Sequence, residues 1–137
     1  PCKDNVNSAR GNKPFNEISD FQTITWYWQD SQTSNIPSSN IDEYSENYGS
    51  YFEPREDRKG DIARTMFYFY TMYSDIADDY FFEIQKEVLR IWHNQDPTNA
   101  DEINRTWAIS YYQDTETPQM VLLESDSDIS VPKNLLE

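Results

Sequence analysis

The chain contains one cysteine, one histidine and three glycines in 137 residues. A lone Cys2 excludes an internal disulfide and leaves the redox compartment open. A lone His93 excludes a multi-histidine metal site. Positive charge is also scarce, with 11 Lys and Arg against 25 Asp and Glu and a formal net charge of -14. So acidic a body repels nucleic acid at long range, so a nucleic-acid contact must come from a local basic patch. The charge otherwise reads as solubility, and it suits an extracellular protein. No apolar run approaches the roughly 20 residues of a membrane span. The opening Pro1-Cys2-Lys3-Asp4 carries neither Met nor leader and reads as part of a longer product, on which a signal peptide would not be seen.

Aromatics are plentiful. Four Trp, ten Tyr and seven Phe stand in a chain only 36% hydrophobic. Their large side chains build a core that the aliphatics alone would not fill, and they argue against disorder. The length suits one domain. Residues Val6 to Asn12 read as a short helix or turn ended by Gly11 and Pro14. Thr23 to Trp28 is β-branched and aromatic and reads as a strand, and Asp30 to Asn40 reads as a loop.

Three helices are expected. The first spans Asp61 to Tyr73, with Ile62, Met66, Phe69, Tyr70 and Tyr73 at helical spacing and Ala63 and Phe67 beside them. The second spans about Tyr80 to His93, with Phe81, Ile84, Val88, Ile91 and Trp92 as its stripe, and Asp96-Pro97 stops it. Thr98 with Asp101 resembles a capping box opening the third, which carries Ile103, Trp107 and Tyr111 on one side. Met66, Phe67, Trp92 and Trp107 are thus expected in the core. Met120 to Leu123 reads as a short strand or clip. The division is a domain over 1–123 and an acidic linker or tail over 124–137.

Four segments, read together, carry a family likeness. They are Pro1-Cys2-Lys3-Asp4-Asn5-Val6-Asn7-Ser8-Ala9-Arg10-Gly11-Asn12, then Phe52 to Phe69 with Arg58-Lys59-Gly60-Asp61-Ile62-Ala63-Arg64 at its centre. Trp92-His93-Asn94-Gln95-Asp96-Pro97 follows, and last Asn104-Arg105-Thr106 with Tyr112-Gln113-Asp114. In order and spacing the chain resembles the endonuclease I family of bacterial secreted and periplasmic nucleases over roughly residues 1–123. The resemblance implies an α+β, mostly helical fold, the C-terminal helical part of a ββα-metal (His-Me finger) nuclease, with short strands and long loops. It implies a histidine that activates water and a divalent metal, Mg²⁺ or Ca²⁺, that stabilises the phosphate in the transition state. By the same resemblance both catalytic segments lie upstream of Val6-Asn7, so no catalytic residue and no metal ligand is expected within this chain. A departure falls at Asp114 to Val121, where the family's Phe after Pro is missing.

The leading expectation is therefore the scaffold portion of an extracellular or periplasmic, metal-dependent, non-specific DNA/RNA endonuclease, forming one wall of its cleft. The alternative is a non-catalytic structural or interaction module derived from that nuclease. By resemblance Asn7 orients the metal shell and Arg10 reaches a phosphate, against local capping and packing of their helix. Lys59 and Arg64 belong to the densest basic cluster, Arg55, Arg58, Lys59 and Arg64. That cluster either lines the nucleic-acid groove or pairs with the interleaved Glu53, Glu56, Asp57 and Asp61. Arg64 stands out because it lies within a mostly apolar helix, where a charge is paired or used. His93 reads as structural, Asp78-Asp79 as solvated surface, and the Asn104-Arg105-Thr106 triplet as chance. Val6, Ala9 and Phe15 are expected to present an apolar face to the N-terminal half or to another polypeptide packing on residues 1–17.

Overall fold

A computed structural model describes residues 3–112. The Met120–Leu123 strand and the 124–137 tail lie outside the described residues. The architecture is α+β, with one four-stranded antiparallel sheet and four helices. Helix α1 is Asp4–Arg10. Strands follow at β1 (Thr25–Trp28), β2 (Ser31–Thr33), β3 (Ser45–Tyr48) and β4 (Tyr51–Glu53). Helices α2 (Lys59–Met72), α3 (Asp79–Gln95) and α4 (Ala100–Tyr112) complete it. The sheet order is β2-β1-β3-β4. No described helix is long and apolar enough to cross a membrane.

The strand expected at Thr23 to Trp28 forms as β1, and the loop after it folds back at once as β2, with Trp28 opposite Ser31. The β3–β4 hairpin has a signal in the sequence that the strand reading passed over. Tyr48 pairs with Tyr51 across Gly49-Ser50, and a Gly-Ser pair between aromatic residues is a two-residue hairpin turn. Gly49 takes the left-handed φ of 43° that such a turn needs.

The core joins sheet to helices. Phe15, Phe52, Ala63, Phe67, Phe82, Val88, Leu89 and Trp92 form one buried cluster. Phe67 meets Phe82 edge-on at 5.9 Å, and Tyr70 stacks on Phe82 at 4.0 Å. Residues 14–16 run beside β4, with the Phe52 N–H donating to the Pro14 carbonyl at 3.2 Å. This seats Phe15 against Trp92, edge-on at 6.2 Å. At the face expected to be open, Phe15 is 6% exposed, and Val6 and Ala9 are partly buried against the core.

Three helical expectations need correction. In α3 the buried set is Phe82, Gln85, Val88, Leu89 and Trp92; Val88 and Trp92 are buried as expected, while Phe82 and Leu89 replace Phe81 and Ile91 and both Ile84 and Ile91 face outward. Both stripes carry apolar residues at helical spacing. What decides between them is Gln85, whose carbonyl accepts the Phe15 N–H at 3.0 Å, so a polar side chain satisfies buried backbone inside the core. In α2 the inward positions are Ala63 and Phe67, while Phe69 and Tyr73 are exposed. In α4 the inward stripe is polar: Glu102, Thr106 and Ser110 are buried, and Trp107 is 49% exposed. The α4 cap is also one residue later than Thr98-Asp101 suggests, since the Asn99 Oδ1 accepts from the N–H groups of Asp101 and Glu102, both at 3.0 Å.

This arrangement separates two tryptophans of similar sequence context. Trp92 is fully buried, and Trp92→Ala is expected to cost about 3–5 kcal/mol, as large aromatic truncations in cores do. Trp107→Ala is expected to cost well under half of that. Paired thermal or urea unfolding of the two variants checks the order, and equal losses would contradict it.

Candidate functional site

Helix α2 opens on charge. Lys59 is 4% exposed, and its Nζ lies 2.9 Å from a Glu17 oxygen, 2.7 Å from Glu53 and 2.7 Å from Glu56. The ammonium also stands 5.3 Å from the Trp92 ring centre, and the Trp92 indole N–H donates to the Glu17 carboxylate. The result is a knot that ties the segment after α1, strand β4, the turn before α2 and helix α3. Burial works against the Lys59 charge, but the three carboxylates more than offset it and raise its pKa. With one ammonium among three carboxylates, the acids are under-compensated. Burial pushes Glu53 up to about 7 against the pull of Lys59 and the Ile18 N–H. For Glu17, burial is outweighed by the Trp92 and Lys59 hydrogen bonds, and its pKa falls. Neighbouring Glu46, 8% exposed and bonded by the Thr23 hydroxyl, is also pushed up to about 7, chiefly by burial.

One turn on, Arg64 is wholly buried. Its Nε and Nη2 donate to the two Glu102 oxygens at 2.7 and 2.6 Å, a bidentate fork onto α4. Its Nη1 donates to the Asp96 carbonyl at 2.7 Å, and Asp61 lies 3.3 Å from Nη2. The Asp96 side chain in turn accepts the Gly60 N–H at 2.8 Å, filling an orphan donor of the first turn of α2. Gly60 is required by this contact: a Cβ there would lie 2.0 Å from the Asp96 carbonyl oxygen. The segments Arg58 to Arg64 and Trp92 to Pro97 thus meet in space as one interlock of α2, α3 and α4.

The remaining basic cluster is paired locally, Arg55 with Asp57 at 2.6 Å and Arg58 with Asp61 at 2.9 Å. Of the four residues expected at nucleic acid, Lys59 and Arg64 therefore lie inside the fold with their charge surrounded by carboxylates. Asn7 and Arg10 lie elsewhere, one turn apart on α1, and the structure does not bring them to the other two. Asn7 is exposed and Arg10 half-buried. The Arg10 guanidinium stands 4.8 Å from the Phe15 ring centre and donates to the Gly11 carbonyl at 2.9 Å. Among the described residues no carboxylate forms an ion pair with it, and its Nε is buried without a partner. Burial lowers its pKa, though a guanidinium stays charged. His93, partly buried, packs edge-on against Phe67 at 6.2 Å. Asp78 caps α3, accepting the Phe81 N–H at 2.9 Å. Among the described residues no three His, Cys, Asp or Glu side chains are grouped to hold a metal ion.

With this geometry in view, the comparison with known families is decisive. The family model described as Endonuclease I matches residues 1–121. The chain belongs to the Endonuclease I family. No curated protein and no solved structure matches it. The segments that carry the endonuclease I likeness now have a physical content. Lys59, Gly60, Arg64 and Asp96 are joined by buried bonds that fix the helices, and Asn7 and Arg10 stand apart from that interlock on α1. Glu53, near Lys59 in the chain, is among the interleaved acids expected to pair with the cluster; the partners Glu17, Gln85 and Glu102 escaped the sequence reading because each sits 38 to 75 positions from its contact, with no local signal.

Two expectations follow. Arg64→Ala leaves Glu102 buried and unpaired, and should cost about 3–5 kcal/mol, with Arg64→Lys failing to restore it because one ammonium cannot replace a bidentate fork. Denaturant unfolding measures both, and a Lys variant as stable as the native chain would refute the fork. The second concerns pH. Glu46 and Glu53 have folded pKa values near 7 against an ordinary 4.5. Between those values the folded state holds more protons than the unfolded one, so their contribution to stability falls as pH rises from 4.5 to 7. Glu46→Gln should flatten that fall, so the variant gains on the native chain towards pH 7. Melts at pH 5 and 7 decide it, and an unchanged gap between the two proteins would tell against the shift.

Proposed function

We propose that the chain is the scaffold portion of an extracellular or periplasmic, Mg²⁺- or Ca²⁺-dependent endonuclease that hydrolyses DNA and RNA without sequence preference. The observation that carries the reading is Arg10, a half-buried cation with no carboxylate partner among the described residues of an acidic chain that belongs to a nuclease family. A guanidinium held this way offers its fork to a phosphate, and local positive charge is what an acidic body needs to hold nucleic acid. Asn7, one turn earlier, presents an amide to the same side of the chemistry and orients the metal shell. Lys59 and Arg64 act at one remove. They hold α2 in place, so that Arg10, at the cleft beside α2, is presented from a fixed frame. On this reading the water-activating histidine and the metal ligands belong to a segment preceding Pro1. The metal, when bound, supplies the Lewis acid of phosphodiester hydrolysis, and this chain binds and orients the substrate.

Residues 1–137 alone are expected to leave supercoiled plasmid intact in Mg²⁺. In the intact protein, Arg10→Ala should lower kcat/KM for plasmid nicking about tenfold or more and make the log–log salt dependence shallower by about 0.9, the weight of one phosphate contact. Nicking that stays with the isolated chain through purification would refute the division of labour. Unchanged activity and salt slope in Arg10→Ala would favour a module without a nucleic-acid role, the reading that the net charge of -14 otherwise suits.

A further inference from the structure

A cleft of about 310 Å³ lies between α2 and α3, with Arg10 on its edge. Its walls are Met66, Phe69, Tyr70, Phe81 and Phe82. Tyr70 and Phe82 are stacked on each other and belong to the core. Phe69, in contrast, is 45% exposed and leaves ring surface open to a ligand. Apolar clefts of this size with a few polar groups are the usual form of a small-molecule subsite. Besides Thr65 and Asp78, the polar lining here is the Arg10 guanidinium, unpaired with any carboxylate among the described residues, so the occupant that matches has a flat apolar body and an anion beside it.

We propose that this cleft is a base-binding subsite, which takes one unstacked nucleobase of single-stranded nucleic acid against Phe69 and Phe81 while Arg10 holds the adjoining phosphate. This rests on the nuclease reading above and deepens it. Aromatic faces accept any base, because every base has a π-face, so the subsite adds affinity without adding sequence preference. Asp78, also at the cleft, is committed to capping α3 through the Phe81 N–H. A base can enter only when it is out of the helical stack, so the subsite favours single strands over duplex. A second protein chain is the competing occupant, and it lacks a reason to place an anion at Arg10.

The test is binding of residues 1–137, in chelator so that no cleavage occurs, to two labelled dodecamers followed by fluorescence anisotropy. One carries adenine at every position, and the other has the same sugar–phosphate chain with abasic residues. The native chain should bind the adenine strand about tenfold tighter, the size of one base–aromatic stack. Phe69→Ala, at a half-exposed position, should bring that ratio close to one and leave abasic affinity unchanged. Phe81→Ala, checked for folding by circular dichroism, should do the same. Arg10→Gln should weaken both strands by a similar factor. Equal binding of both strands by the native chain, or a ratio that neither Phe variant changes, overturns the subsite and leaves the Arg10 contact standing. Binding of neither strand overturns both. A concentration-dependent dimer dispersed by Phe69→Glu would overturn the subsite in favour of a second copy.

Discussion

Everything in this fold leans on the burial of two cations of α2, Lys59 and Arg64. Lys59 and Arg64 together touch carboxylates from the segment after α1, strand β4, the turn before α2, and helix α4, as well as a backbone carbonyl at the end of α3. Apolar contacts hold α2 to α3, but they do not fix where α4 or the Glu17 segment sits. Buried charge does. A guanidinium without its fork, or a carboxylate without its cation, is far costlier inside a protein than at the surface, so the alternatives to this arrangement are few. The same constraint accounts for Gly60, where a Cβ would lie 2.0 Å from the Asp96 carbonyl oxygen.

The inverted face of α4 follows from that constraint. Glu102 has to face inward to meet Arg64, and a helical repeat then carries Thr106 and Ser110 inward with it. Their hydroxyls are satisfied within the helix, Thr106 to the Glu102 carbonyl at 2.8 Å and Ser110 to the Trp107 carbonyl at 3.0 Å. One ion pair therefore outweighs a stripe of three aromatic and aliphatic residues in setting the rotation of a helix. The order of strengths is sound: a bidentate buried pair broken on one side costs several kcal/mol, whereas leaving a half-exposed aromatic in water forfeits only part of its burial.

The acidic composition and the nuclease family assignment are reconciled by where charge is spent. The described chain places most of its cations in pairs, at the surface as in Lys3 with Asp30 and Arg90 with Glu87, or in the interior as in α2. Among the described residues, Arg10, Lys13 and Arg105 are the cations shown in no ion pair with a carboxylate, and of these Arg10 stands on α1 at the apolar cleft. In the function proposed above, substrate is held at few points, by a phosphate contact and a stacked base, while most of the surface repels it.

The sequence by itself determined which stretches become helices, one strand, the aromatic make-up of the core, and the family, because these depend on local periodicity, turn chemistry and ordered motifs that are written in consecutive residues. It also placed Arg10 beside Asn7 on one short helix. It left undecided which of two adjacent stripes of α3 faces inward, which face of α4 does, and whether Lys59 and Arg64 are surface or core. Those choices depend on partners distant in the chain: Gln85 meets Phe15 across 70 positions, Arg64 meets Glu102 across 38, and Lys59 meets Glu17 across 42. A charge on an apolar helix states that a partner must exist, and only the folded chain says which one, since the energy that chooses it is released when the two are buried together.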